Sequence, residues 1–197
     1  MRLGPEGGPV VVVAPPLLEE ANRTRAFTVA ILRALAGRGI GGVLPDLPGQ
    51  GESLLPTEAM TLADLRSGFA AVPGTHVLAI RSGVLVADAR PCWSLAPQTG
   101  PELVREWGKM APLDGEQVAV AGNRLSRRLL NDLGASDRSD LRRGGRERVV
   151  RLTSDPRPAD RQVDGAPLWR RSEPGNDPAL AQRLTADIAD WIAACDR

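Results

Sequence analysis

The sequence predicts an α/β domain, a mostly parallel sheet with helices on both faces. Three observations carry that prediction. "VVVVA" at residues 10–14 is continuous, β-branched and bounded by proline, the pattern of a strand buried on both faces of a parallel sheet. Strand-like and helix-like segments then alternate along nearly the whole chain, which implies βαβ units. The 197 residues suffice for one sizeable core and are too few for two comfortable domains, so a single domain over residues 1–197 is expected.

The elements follow in order. Asn22 to Ala36 carries Phe27, Ala30, Ile31, Ala34 and Leu35 at helical spacing, and Gly37 and Gly39 stop the helix. A second strand runs from Ile40 to about Leu44. Thr61-Leu62-Ala63-Asp64 opens a helix with a capping box and sets Leu62, Leu65 and Phe69 on one face. "LAIRSGVLVADA", residues 78–89, supplies a third strand that turns through Arg81-Ser82-Gly83 into a helix. "PCWSLAP" (91–97) is a fourth strand, Glu102 to Met110 a short helix, and "EQVAVAG" (116–122) a strand or an edge hairpin. Ser126 to Leu133 is a helix ending at Gly134, and Arg148 to Leu152 is the last strand. Asp177-Pro178, a cap followed by proline at the first helical position, starts a final helix with Leu180, Leu184, Ile188, Trp191 and Ile192 inward. Ala135 to Glu147, "ASDRSDLRRGGRE", is expected to be the least ordered stretch, a solvated loop.

Composition narrows the function classes. A net charge of +1, with 42% hydrophobic and 25% charged residues, gives no bulk electrostatic reason to expect nucleic acid as a partner. The longest apolar runs, 9–16 and 77–86, fall short of the roughly 20 residues a membrane span needs. The N-terminus breaks at once into glycine and proline and lacks the order of a secretion signal, so a cytoplasmic location is expected. Cys92 and Cys195 lie in different elements and are expected to be free thiols; with one histidine beside them, neither a metal site nor a cofactor is expected.

"LPDLPGQGES", residues 44–53, is the most specific signal in the chain. It resembles the D-x-x-G-x-G-x-S loop that follows a major strand in α/β-hydrolases, matched here by Asp46, Gly49, Gly51 and Ser53. The following strand and turn resemble the nucleophile elbow of that superfamily. "PPLLEEANRTR" (15–25), "RSGVLVADA" (81–89), "VAVAGNRLSRRLLNDL" (118–133) and "APLWRRSEPGNDPAL" (166–180) together resemble the exosortase A system-associated hydrolases of the second type. That resemblance spans the whole chain. It implies an α/β-hydrolase-like fold and a bacterial setting of exopolysaccharide production and exosortase sorting; it implies no substrate. About 20 residues, Pro97 to Glu116, are available where larger members insert a cap, so a minimal cap and a shallow pocket are expected.

The chemistry of such a fold needs a serine on a strained turn, a histidine to take its proton and an acid to orient the histidine. Aligned on Gly83, the elbow reads Ala79-Ile80-Arg81-Ser82-Gly83, so the nucleophile position holds Arg81. His76 is the only histidine. It starts the strand that ends at Ile80, about 13 Å from the catalytic edge at ~3.3 Å per residue, and is no base for that edge. Two readings of the elbow follow. In the structural one, Arg81 pairs with Glu19 or Glu20 from the segment after the first strand. In the other, Arg81 and the turn amides of Ser82 and Gly83 hold the anionic group of a small molecule or a protein partner. A hydrolase of an ester or thioester would have to use Ser82, helped by Glu173 in the last loop or by Asp155 after the last strand. Trp93, Trp107 and Trp169 are candidates for a pocket mouth, although tryptophan is more often core. The final helix and a possible edge strand at Gln117 are features that support a homodimer.

Overall fold

A computed structural model describes residues 1–110, 112, 116–137 and 146–196. Its centre is a seven-stranded sheet. The strands are β1 (Arg2–Leu3), β2 (Val10–Ala14), β3 (Gly41–Val43), β4 (His76–Ile80), β5 (Cys92–Leu95), β8 (Glu147–Leu152) and β9 (Arg161–Val163). They lie in the order β1-β3-β2-β4-β5-β8-β9. Every pairing is parallel except that of β1 with β3. A separate antiparallel hairpin is formed by β6 (Gln117–Val120) and β7 (Asn123–Ser126).

The period of two along β2 sorts its side chains between two cores. Val11 and Val13 pack with Phe27, Ile31 and Leu35 of α1 (Glu19–Ala36) and with Leu184, Ile188 and Trp191 of α5 (Pro178–Cys195). Val12 and Ala14 pack on the opposite face. There they meet Leu65 and Phe69 of α2 (Leu62–Ala70), Leu103 and Trp107 of α3 (Gly100–Gly108), and Leu129 and Leu133 of α4 (Arg127–Gly134). All five residues of β2 and of β4 are buried, His76 at the start of β4 included, as strands covered on both faces are.

Local signals act where the sequence puts them. Thr61 caps α2, and Thr99 caps α3 in reciprocal capping boxes with Asp64 and Glu102. The Asp177 side chain accepts the N–H of Leu180, with Pro178 at the first helical position.

Several elements differ from the sequence reading. The turn after β4 is not followed by an α-helix: Arg81–Leu85 is a single buried 3-10 turn, and an irregular segment leads to β5. The segment at Gln117 belongs to a hairpin outside the main sheet, not to its edge. β8 is not the last strand, since β9 pairs beside it, and the two-residue β1 was not anticipated. Helix α1 starts three residues before Asn22, at Glu19. Of the arginine-rich loop expected at 135–147, residues 138–145 lie outside the described residues. Among the described residues no helix is long and apolar enough to cross a membrane.

Sheet order also locates the crevice. From β2 the chain moves outward to β3, then returns to place β4 on the other side of β2. The carboxyl ends of β2 and β4 therefore flank a topological switch point, where open α/β sheets hold their ligands.

Candidate functional site

Two turns meet at that switch point: Pro15-Pro16-Leu17-Leu18 after β2 and Arg81-Ser82-Gly83 after β4. Arg81 has φ +53°, the left-handed conformation that non-glycine residues adopt only under constraint and that is expected of a residue on a sharp strand-to-helix elbow. Gly83 shows what imposes it. A Cβ there would lie 2.0 Å from the carbonyl oxygen of Ala14, so the turn is pressed against the end of β2 and only glycine fits.

Arg81 is 4% exposed. Its Nε donates to Glu20 Oε2 at 3.2 Å and its Nη2 to Glu20 Oε1 at 3.1 Å, a bidentate pair; Nη2 also donates to Glu106 Oε2 at 3.0 Å. The guanidinium carbon stands 5.1 Å from the centre of the Trp169 ring, a cation–π contact. Glu20 lies in the first turn of α1, where a negative charge is favoured by the helix dipole. Burial pushes its carboxyl above the usual value, and the Arg81 guanidinium pulls it back. Glu19 pairs instead with Arg23, one turn along the helix. Glu106 also accepts a hydrogen bond from Gln98 Nε2 at 2.6 Å.

Ser82 is fully buried, and its Oγ accepts the N–H of Leu17 at 2.9 Å. Leu18 N–H donates to Gln50 Oε1 at 2.8 Å. Leu18 itself has φ +58° and ψ −128°, so the loop after β2 is as constrained as the elbow it faces.

Of the remaining candidates Asp155 lines the same cleft as Arg81, whereas Glu173 and His76 do not. Asp155 follows β8 and sits in a fork of arginines: Arg157 donates to both its oxygens at 2.8–3.2 Å, and Arg151 Nη1 to Oδ2 at 2.8 Å. Arg157 first, and Arg151 with it, hold its carboxyl well below the usual carboxylate range against the opposing effect of burial. Glu173 is exposed and does not line the elbow cleft. His76, at the amino end of β4, is 2% exposed, bonds Thr75 Oγ1 through Nδ1 and meets the Trp191 ring edge-on at 5.4 Å. Trp93 is core, its indole N–H donating to Asp187 at 2.8 Å, whereas Trp107 and Trp169 do line the cleft. Cys92 is half-buried and Cys195 buried, and no disulfide joins them.

The cleft over the elbow has a volume of about 770 Å³. Leu17, Glu20, Arg81 and Gln98 line it together with Glu106 and Trp107 of α3. Sequence reasoning named Glu20 but missed Glu106 and Gln98. Their contact with Arg81 depends on how α3 crosses the sheet edge, and no local motif encodes that crossing. No group of three or more His, Cys, Asp or Glu that could hold a metal ion occurs among the described residues.

No protein-family profile matches the sequence, and no curated protein matches it. Solved structures do. Est1E from Butyrivibrio proteoclasticus with ferulic acid bound is 13% identical, with TM-score 0.64, covering 96% of this chain and 91% of that one. A protein from Agrobacterium vitis S4, provisionally described as a hydrolase, is 14% identical, with TM-score 0.59, covering 97% and 91%. The AqdC protein, solved with the product of ring-cleavage of the Pseudomonas quinolone signal, is 13% identical, with TM-score 0.53, covering 98% and 95%. At these identities the likeness is one of fold. The chain has an α/β-hydrolase-like architecture.

Proposed function

We propose that this protein is a non-catalytic or atypical member of the α/β-hydrolase superfamily that uses its elbow cleft for binding and not for hydrolysis by a serine triad. The exosortase and exopolysaccharide setting implied by the sequence resemblance is part of this proposal.

The observation that carries it is the state of the two loop amides. An acyl-transfer enzyme of this fold stabilises its oxyanion with the N–H after the nucleophile and an N–H from the loop after a neighbouring strand of the sheet, here the loop after β2. In this loop Pro15 and Pro16 have no N–H. That leaves Leu17 and Leu18, and both are already bonded, to Ser82 Oγ and Gln50 Oε1. One lost oxyanion donor costs about 10²–10³ in rate. Arg81 at the nucleophile position and the remote, buried His76 point the same way.

The competing reading is a small ester or thioester hydrolase using Ser82. It requires Ser82 Oγ to leave Leu17 N–H and find a base. Asp155 is held by two arginines and Glu173 is outside the cleft. A fluorophosphonate probe followed by intact mass measurement separates the two. No adduct is expected under the binding reading. An adduct that disappears in Ser82→Ala would establish the hydrolase.

A further inference from the structure

One guanidinium balances one carboxylate, yet Arg81 is flanked by Glu20 and Glu106. The centre of the cleft therefore carries surplus negative charge. Both Glu20 oxygens are taken by Arg81, and Glu106 Oε2 is shared by Arg81 and Gln98. Glu106 Oε1 has no partner among the described residues. A second acceptor belongs to the side chain that bonds Glu106: Gln98, 3% exposed, lines the cleft, and its Oε1 is buried without a hydrogen-bond partner. That amide is fixed in orientation, because turning it over would set its oxygen against the Glu106 carboxylate. The floor thus offers two acceptors without partners, Glu106 Oε1 and Gln98 Oε1. The rim is opposite in sign. Arg105, Lys109 and Arg170 are exposed, line the same cleft and make no ion pair among the described residues.

We propose that the elbow cleft binds a zwitterionic small molecule, with a primary ammonium group on the Glu106 and Gln98 acceptors and a carboxylate at the basic rim. This rests on the reading that the cleft binds, and it reverses the anion pocket that the sequence suggested around Arg81. An anion at the floor would sit beside both Glu20 and Glu106, whereas an ammonium adds the missing countercharge. Leu17, Leu152 and Trp107 supply apolar wall for the chain between the two charges.

Calorimetric titration at neutral pH and low salt with 6-aminohexanoate and with hexanoate tests it. Binding of 6-aminohexanoate at least roughly tenfold tighter than hexanoate is expected, with a further loss of roughly tenfold in Glu106→Gln. Hexanoate binding as tightly as the amine, no binding of 6-aminohexanoate at millimolar concentration, or a folded Glu106→Gln with unchanged affinity would overturn it. Should that variant not fold, the preference of the unmodified protein between the two ligands still decides. Fluorophosphonate labelling of a protein that prefers the amine would refute the binding reading alone; an unlabelled protein that prefers hexanoate refutes only this assignment.

Discussion

The hydroxyl of Ser82 and the amide of Leu17, 65 residues apart in sequence, are joined by a buried hydrogen bond of 2.9 Å. That bond ties the elbow to the loop after β2 and gives the serine a structural task. Ser82→Ala leaves the buried Leu17 N–H without a partner, and a loss of about 1–3 kcal/mol is expected. Urea unfolding with an unchanged m-value would measure it.

Arg81 combines a backbone strained at φ +53° with a side chain that joins α1 to α3. Removing the guanidinium leaves Glu20 buried without its countercharge, so Arg81→Ala is expected to cost about 3 kcal/mol. Arg81→Gly loses the same ion pair but relieves the left-handed strain. It should be the more stable of the two by about 1 kcal/mol. Thermal melts of the pair at one pH give the difference directly; alanine equalling or exceeding glycine would mean the elbow is not strained.

Gly83→Ala sets a methyl group 2.0 Å from the Ala14 carbonyl oxygen, backbone against backbone. No side chain can rotate to make room. The expectation is failure to fold, or a loss above about 4 kcal/mol, visible as loss of soluble protein or of a cooperative melt.

Stability should also depend on pH through His76. Burial first, with Arg146 adding to it and Asp196 opposing, lowers its pKa below the usual 6.5. The folded state then binds fewer protons than the unfolded chain. Its contribution is present above pH 6.5 and is lost as pH falls through that value toward the folded pKa. The denaturation midpoint should fall as pH is lowered from 7 to below 6, and His76→Gln should flatten that part of the profile. An unchanged slope in the variant would assign the dependence to other groups.

Much of the architecture is legible in the sequence because it rests on local pattern. The β-branched run at 10–14, the capping box at Thr61 and the Asp177-Pro178 start each specify an element by themselves. Short strands do not. β1 and β9 have two and three residues and depend on a neighbouring strand, so no periodicity announces them. Arg81-Ser82-Gly83 reads as an elbow, but the helix expected after it shrinks to a 3-10 turn, since buried Val84, Leu85 and Val86 are apolar on all sides and fit several conformations equally. At the site, Glu20 was a candidate because it follows β2 directly. Glu106, Gln98 and Gln50 arrive from distant segments, and only the folded chain brings them to Arg81, to Glu106 and to Leu18 respectively.

The central claim is that Arg81 serves as an internal countercharge for Glu20 and Glu106. A crystal structure of the protein soaked in sulfate tests it most directly. Arg81 should remain bidentate on Glu20, with Glu106 on Nη2 and no sulfate within hydrogen-bond reach of the guanidinium. A sulfate held between Arg81 and the amides of Ser82 and Gly83, with Glu20 swung away, would contradict the account and restore the elbow as an anion site.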